Sequence, residues 1–233
     1  MARITRKELK TDKFALEVEH GLTFFEEHQK TIVRYGGIAL VLLILIVGYR
    51  FYSRQQRSLR EQTLARAILV RDTPIGPINP NGPAAFPTQQ VKDQAITKAF
   101  SDLKAKYPGS EEAVVADYYL AAQKADLGDL AGAEKAFQEV GQKGDDKYAS
   151  LAKLSLAQIY FGDGKLDQAQ KTLEDLAAHP TIFVSKEQAQ LALARGLLPS
   201  KPAEARKILD SLRNQPGAVG QVAIQMYGEL PQK

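Results

Sequence analysis

Apolar and polar residues follow three different rhythms along this chain. In the polar first 31 residues, Phe14, Val18, Leu22 and Phe25 recur at spacings of 4, 4 and 3. That spacing puts them on one face of a short helix, with Lys13, Glu17, Glu19 and Glu26 elsewhere on the wheel. From Ile32 to Tyr52 the rhythm disappears. These 21 residues are apolar all round, interrupted only near the ends by Arg34 and Arg50. At about 1.5 Å per residue such a helix is about 30 Å long, the thickness of a bilayer's hydrocarbon core. From Val91 onward a third rhythm sets in, helical and alanine-rich.

The uniform run reads as an uncleaved single-span anchor over residues 32–52. A buried core helix would show a stripe, and Ile38–Val47 has none. A signal peptide would not carry some 30 polar residues ahead of it, and no small-x-small site follows, since the exit reads "VGYRFYSRQQ". The flanking Arg34, Tyr35, Tyr49, Arg50 and Tyr52 suit the membrane interface, the arginines by snorkelling and the tyrosines by their polar tips. Residues 53–71 continue as a basic juxtamembrane helix on which Leu59, Thr63, Ala67 and Val70 share a face. Residues 72–90 hold five prolines and two glycines, which excludes a helix or a central strand and predicts a linker.

The third rhythm repeats. Leu120–Ala121, Gly128, Leu130, Ala133, Phe137 and Val140 are matched 36 residues later by Leu156–Ala157, Gly164, Leu166, Ala169, Leu173 and Leu176. Another step of 36 reaches Ala205, Leu209 and Leu212, in a degenerate copy. A fixed period of this size with two helices per unit is the mark of a helical solenoid. The small residues Ala133, Ala169 and Ala205 let paired helices approach, and the next turn's Leu or Phe fills the gap. Gly128 and Gly164 are placed to end first helices in a left-handed cap. In "YPGS" (Tyr107–Ser110), Ser110 is placed to cap the helix that follows, with Glu112 in its first turn. Val219, Val222, Ala223 and Met226 have the spacing of a helix capping the last unit. The expected fold is all-α: one transmembrane helix, then about three helix pairs over residues 91–233 and a capping helix.

The stretch "LAKLSLAQIYFGDGKLDQAQKTLEDLAAHP" resembles the tetratricopeptide repeat in Leu156, Ala157, Tyr160, Gly164, Ala169, Leu173 and Pro180. The wider arrangement, a tail containing "FFEEHQKTIVRYGG", one span, a basic helix and a small alanine-rich repeat domain, is similar to the YfgM family. That resemblance implies an inner-membrane protein, N-terminus in the cytoplasm and repeats in the periplasm. It implies the SecYEG translocon, a PpiD-like chaperone and unfolded secreted clients as partners. The Pro-rich insert Thr73–Thr88 departs from the family. "YPGSEEAVVADYYLA" also resembles envelope lipoproteins of the BamD and YbgF type, but with no cysteine a lipid-modified anchor of that sort has no attachment point.

Charge sharpens this reading. Residues 1–66 hold 12 Lys+Arg against 7 Asp+Glu, and residues 67–233 hold 19 against 20. The basic character belongs to the membrane-proximal part and points to lipid headgroups rather than nucleic acid. It leaves orientation open. Five arginines between Arg50 and Arg66 outnumber Lys30 and Arg34, whereas counting the whole tail reverses the tally. The resemblance favours periplasmic repeats.

Chemistry finds little to work with. His20 and His28 lie in the tail and His179 precedes Pro180. No nucleophile, acid–base or phosphate-cradling constellation is present, and neither a cofactor nor a metal site is expected. Glu111–Glu112 and Asp145–Asp146 read as helix-start and loop charges, with Gly144–Lys147 a turn leading into a helix. The expectation is a non-enzymatic protein–protein interaction scaffold, with a structural accessory or assembly subunit of another envelope complex as the alternative. By the resemblance, first helices line a concave face, which puts Tyr118, Ala122, Leu151, Leu154, Gln158, Phe161, Glu187, Gln190 and Ala194 near it. Phe161, Tyr118 and Leu154 are the candidate anchors.

Overall fold

The computed structural model describes residues 6–77, 84–143 and 146–230, with the side chains of Lys30, 33–77, 84–143 and 147–230. The amphipathic face of Phe14 to Phe25, His20, His28, Pro80, Pro83 and the turn at Gly144–Asp145 lie outside what it describes. The chain divides into two compact units, Met1–Leu59 and Arg60–Lys233. Helix α1, Arg6–Asp72, contributes to both.

Within the first unit, the large residues of Ile38–Val47 are all between 51% and 62% exposed. Among the described residues nothing covers any side of this stretch. From Val33 the helix is long and apolar enough to cross a membrane. Tyr35, Tyr49 and Tyr52 are likewise exposed, as are Arg34 and Arg50.

The second unit is built from α2 (Gln89–Lys106), α3 (Glu111–Asp126), α4 (Leu130–Lys143), α5 (Asp146–Gly162), α6 (Leu166–Ala178), α7 (Lys186–Leu197), α8 (Pro202–Leu212) and α9 (Ala218–Gly228). Local chemistry sets the boundaries. Thr88, Ser110 and Ser185 accept hydrogen bonds at the N-termini of α2, α3 and α7, and Ser185 with Gln188 completes a capping box. Asp129 Oδ1 accepts from the Gly132 amide at the start of α4, 3.0 Å away. Gly128 and Gly164 turn the chain at φ of 84° and 71°, where a side chain would be strained.

Each helix packs on its chain neighbour, and α3, α5, α7 and α9 also touch in series. These are the first helices of successive pairs, and α9 takes the place of a fourth. The second helices α4, α6 and α8 bury matching triplets: Ala133, Phe137 and Val140; Ala169, Leu173 and Leu176; Ala205, Leu209 and Leu212. None of the nine is more than 3% exposed. The period of 36 is kept through this seam because each alanine leaves room for only a methyl group.

The described segment from Arg60 to Asp72 does more than continue the span. Ala67, at 2% exposure, shares a core with Ile96, Phe100, Leu103 and Ala116, and Leu64, Ile68 and Val70 pack against it. Arg60 Nε lies 3.0 Å from the buried Glu112 Oε2, and the Arg71 guanidinium sits 4.8 Å from the Tyr119 ring centroid. The end of α1 thus serves as a first helix for α2, and the expected boundary at residue 91 cuts through this cluster. The Pro-rich segment between them is closed at its base. Gly76 N donates to Phe86 O and Phe86 N donates to Pro74 O, at 3.0 and 2.9 Å.

Candidate functional site

The first helices leave one face open, and its composition follows from their register. "YYLAA" of α3 (Tyr118–Ala122), "LSLAQ" of α5 (Leu154–Gln158) and "LALAR" of α7 (Leu191–Arg195) occupy equivalent turns. In each, the fourth residue is fully buried: Ala121, Ala157 and Ala194 are all at 0% exposure. The step from α3 to α5 is 36 residues, but from α5 to α7 it is 37. The connection from α7 to α8 is shorter by one, which restores the period at Ala205. That connection lacks a left-handed glycine; α7 ends at Leu198 in right-handed geometry.

This offset decides which residues form the site. Leu154, Gln158 and Phe161 come together, and they line a groove of about 590 Å³ with Gln188, Leu191, Ala192, Arg195, Gly196 and Val222. Gln190 and Ala194 do not line it. Ala194 is wholly buried because it fills the place of Ala157, so its expected place on the face is corrected to the core. The residues that replace them, Leu191 and Arg195, lie one position further along α7. The signal is present in the match of "LSLAQ" to "LALAR", which a strict step of 36 passes over.

The candidate anchors divide. Leu154 is half-buried and lines the groove. Phe161 is half-buried too, but its ring lies against Gly196, where an added Cβ would overlap it, and it packs on the cores to either side. Within α7, the missing side chain of Gly196 makes room for that ring. Tyr118 is taken up by packing: its centroid lies 5.5 Å from Tyr119 and 5.7 Å from both Phe137 and Tyr148. Ala122 and Leu151 are half-buried against the same cores. Glu187, in the first turn of α7, has its carboxyl held below the ordinary range by its own backbone amide and by Ser185.

Polar chemistry around the groove is sparse. Arg195 is exposed and is the one charged residue lining it. Elsewhere, Lys153 of α5 reaches Asp175 of α6 at 3.0 Å and, with His179, lowers the Asp175 pKa. Lys165 is held between Glu134 and Asp163, which raise its pKa. Among the described residues no group of three or more His, Asp or Glu could hold a metal ion.

The tetratricopeptide repeat-like domain family matches this chain over residues 23–190, and the chain belongs to that family. No curated protein and no solved structure matches it. Domains of this family characteristically mediate protein–protein interaction, and a non-catalytic scaffold is their typical role.

Proposed function

We propose that this member of the tetratricopeptide repeat-like family is an inner-membrane-anchored interaction scaffold, ancillary to the Sec translocon and its periplasmic chaperones. The observation that carries the scaffold reading is the apolar groove across α5, α7 and α9, an open concavity with few polar groups. The anchor reading rests on the uncovered apolar helix of the first unit, with Arg34, Tyr35, Tyr49, Arg50 and Tyr52 at its margins. The translocon, the PpiD-like chaperone and unfolded secreted clients come from resemblance to the YfgM family, and so does placement of the repeats in the periplasm.

Site-specific photocrosslinking in cells tests it. A crosslinker at Gln158 or Leu191 should yield adducts to translocon or chaperone subunits, and one at the exposed Lys207 of α8 should not. Equal yields would remove the groove from the function. Protease added to spheroplasts should cut within Thr73–Thr88; protection there with loss of the first 30 residues would place the repeats in the cytosol. The uncovered span also favours a second reading, an accessory subunit that binds its complex through the membrane. Copurification with the span alone, and not with the repeats alone, would select it.

A further inference from the structure

The open face is ordered in rows that cross the first helices. Equivalent positions give one apolar row, Tyr118, Leu154 and Leu191. One turn further on they give a second row, Ala122, Gln158 and Arg195. The second row becomes longer and more polar along the stack and ends in a cation. The Arg195 side chain is exposed and takes part in no ion pair or hydrogen bond among the described residues. The groove it lines also holds the apolar Leu154, Phe161, Leu191 and Val222 and the neutral Gln158 and Gln188, with no carboxylate among the lining residues. A guanidinium beside apolar walls presents a fixed, weakly hydrated fork of donors to whatever enters the groove. An apolar ligand alone would cover it without a partner, which costs free energy.

We infer that the groove takes an amphipathic segment of a partner protein, with aliphatic side chains on Leu154, Leu191 and Val222 and an Asp or Glu side chain on Arg195. This rests on the groove being the partner surface, as proposed above. Charge complementarity at this unpaired arginine side chain sets orientation and selectivity along the stack. The α3 end, with Ala122 in the equivalent place, exerts no such selection, so the acidic residue belongs at one end of the bound segment. Arg195 is then the residue that sets polarity of binding, and Leu191 the one that supplies contact.

Phage display of random 12-residue peptides on the full chain in phosphatidylcholine nanodiscs tests this. The unaltered chain should enrich peptides with aliphatic residues and an Asp or Glu at a fixed offset from them. Arg195→Glu should replace that acid with Lys or Arg, with circular dichroism and Tm unchanged, because the side chain is exposed. Changing the acid of one enriched peptide to its amide should weaken binding about fivefold, as expected for an exposed ion pair. Aliphatic peptides without acid enrichment, recovered equally by Arg195→Glu, would overturn the inference and leave the groove as the partner surface. Failure to enrich any peptide that Leu191→Ser releases would overturn both.

Discussion

The second helices and the first helices of this array obey different rules. In α4, α6 and α8 the same three positions are buried in every pair at a constant step of 36. In α3, α5 and α7 the inward alanines are held too, at Ala116, Ala152 and Ala189 and at Ala121, Ala157 and Ala194, but the step slips by one at α7 and the outward positions vary. The difference is steric. Ala133, Ala169 and Ala205 are squeezed between helices, so a shift of one residue would drive larger side chains into the seam. The open face has no such partner. There the side chains change from repeat to repeat, and that is where Leu191 and Arg195 arise.

The largest test of this contrast concerns the first helix of all. A fragment starting at residue 91 should be markedly less stable than one starting at Arg60, because it uncovers Phe100 and Leu103, both 0% exposed. At about 1.5–3 kcal/mol for each such side chain the loss is about 3–6 kcal/mol, read from urea denaturation. Matching midpoints would mean that the end of α1 is not a working part of the stack.

Next comes a direct comparison of seam and face. Ala169→Leu overpacks the seam and should cost about 1–3 kcal/mol. Gln158→Leu puts the same leucine on the exposed face, where it has room, and should stay within about 0.5 kcal/mol. Equal shifts in Tm for the two would show that the assigned register is wrong.

Gly196 lies where the two rules meet. Gly196→Ala gains about 1 kcal/mol of helix propensity but displaces the Phe161 ring, so its net effect should be small. In combination with Phe161→Leu the gain should appear. A double-mutant cycle by thermal denaturation reads the coupling, and strict additivity would deny the contact.

The smallest effect joins a first helix to a second through Lys153 and Asp175. The Asp175 pKa is lowered in the fold, so this pair contributes above the unfolded carboxyl value of about 3.9 and is lost as pH falls through the lower folded value. Side chains half exposed to water keep the contribution small. The stability difference between the unaltered chain and Lys153→Met should therefore be present at pH 6 and vanish in strong acid. A difference that grew on acidification would contradict the ion pair.

Much of this architecture is legible in the order of residues. The uniform apolar run, the alanine seam, the two left-handed glycines and the Ser110 cap are each written in side-chain size or backbone freedom at single positions. Leu154, Gln158 and Phe161 are legible as neighbours for the same reason, since they share one helix. Residues on different helices are harder to place. A fixed period misplaces Gln190 and Ala194 by one position, because the lengths of the α6–α7 and α7–α8 connections compensate and hide the slip. The end of α1 reads as a spacer because its basic outer face dominates its composition, while Leu64, Ala67 and Ile68 on the inner face are few.

By itself the sequence determines which stretches become helices, where they stop, and which methyl-sized positions must face one another, because these are matters of local sterics and period. Tertiary structure alone decides that Arg60–Asp72 joins the stack, that Tyr118 is consumed by neighbouring rings, that Gly196 exists to admit Phe161, and that Arg195 borders an apolar groove. Each of these depends on the distance between helices remote in sequence, which is fixed only when the whole array packs.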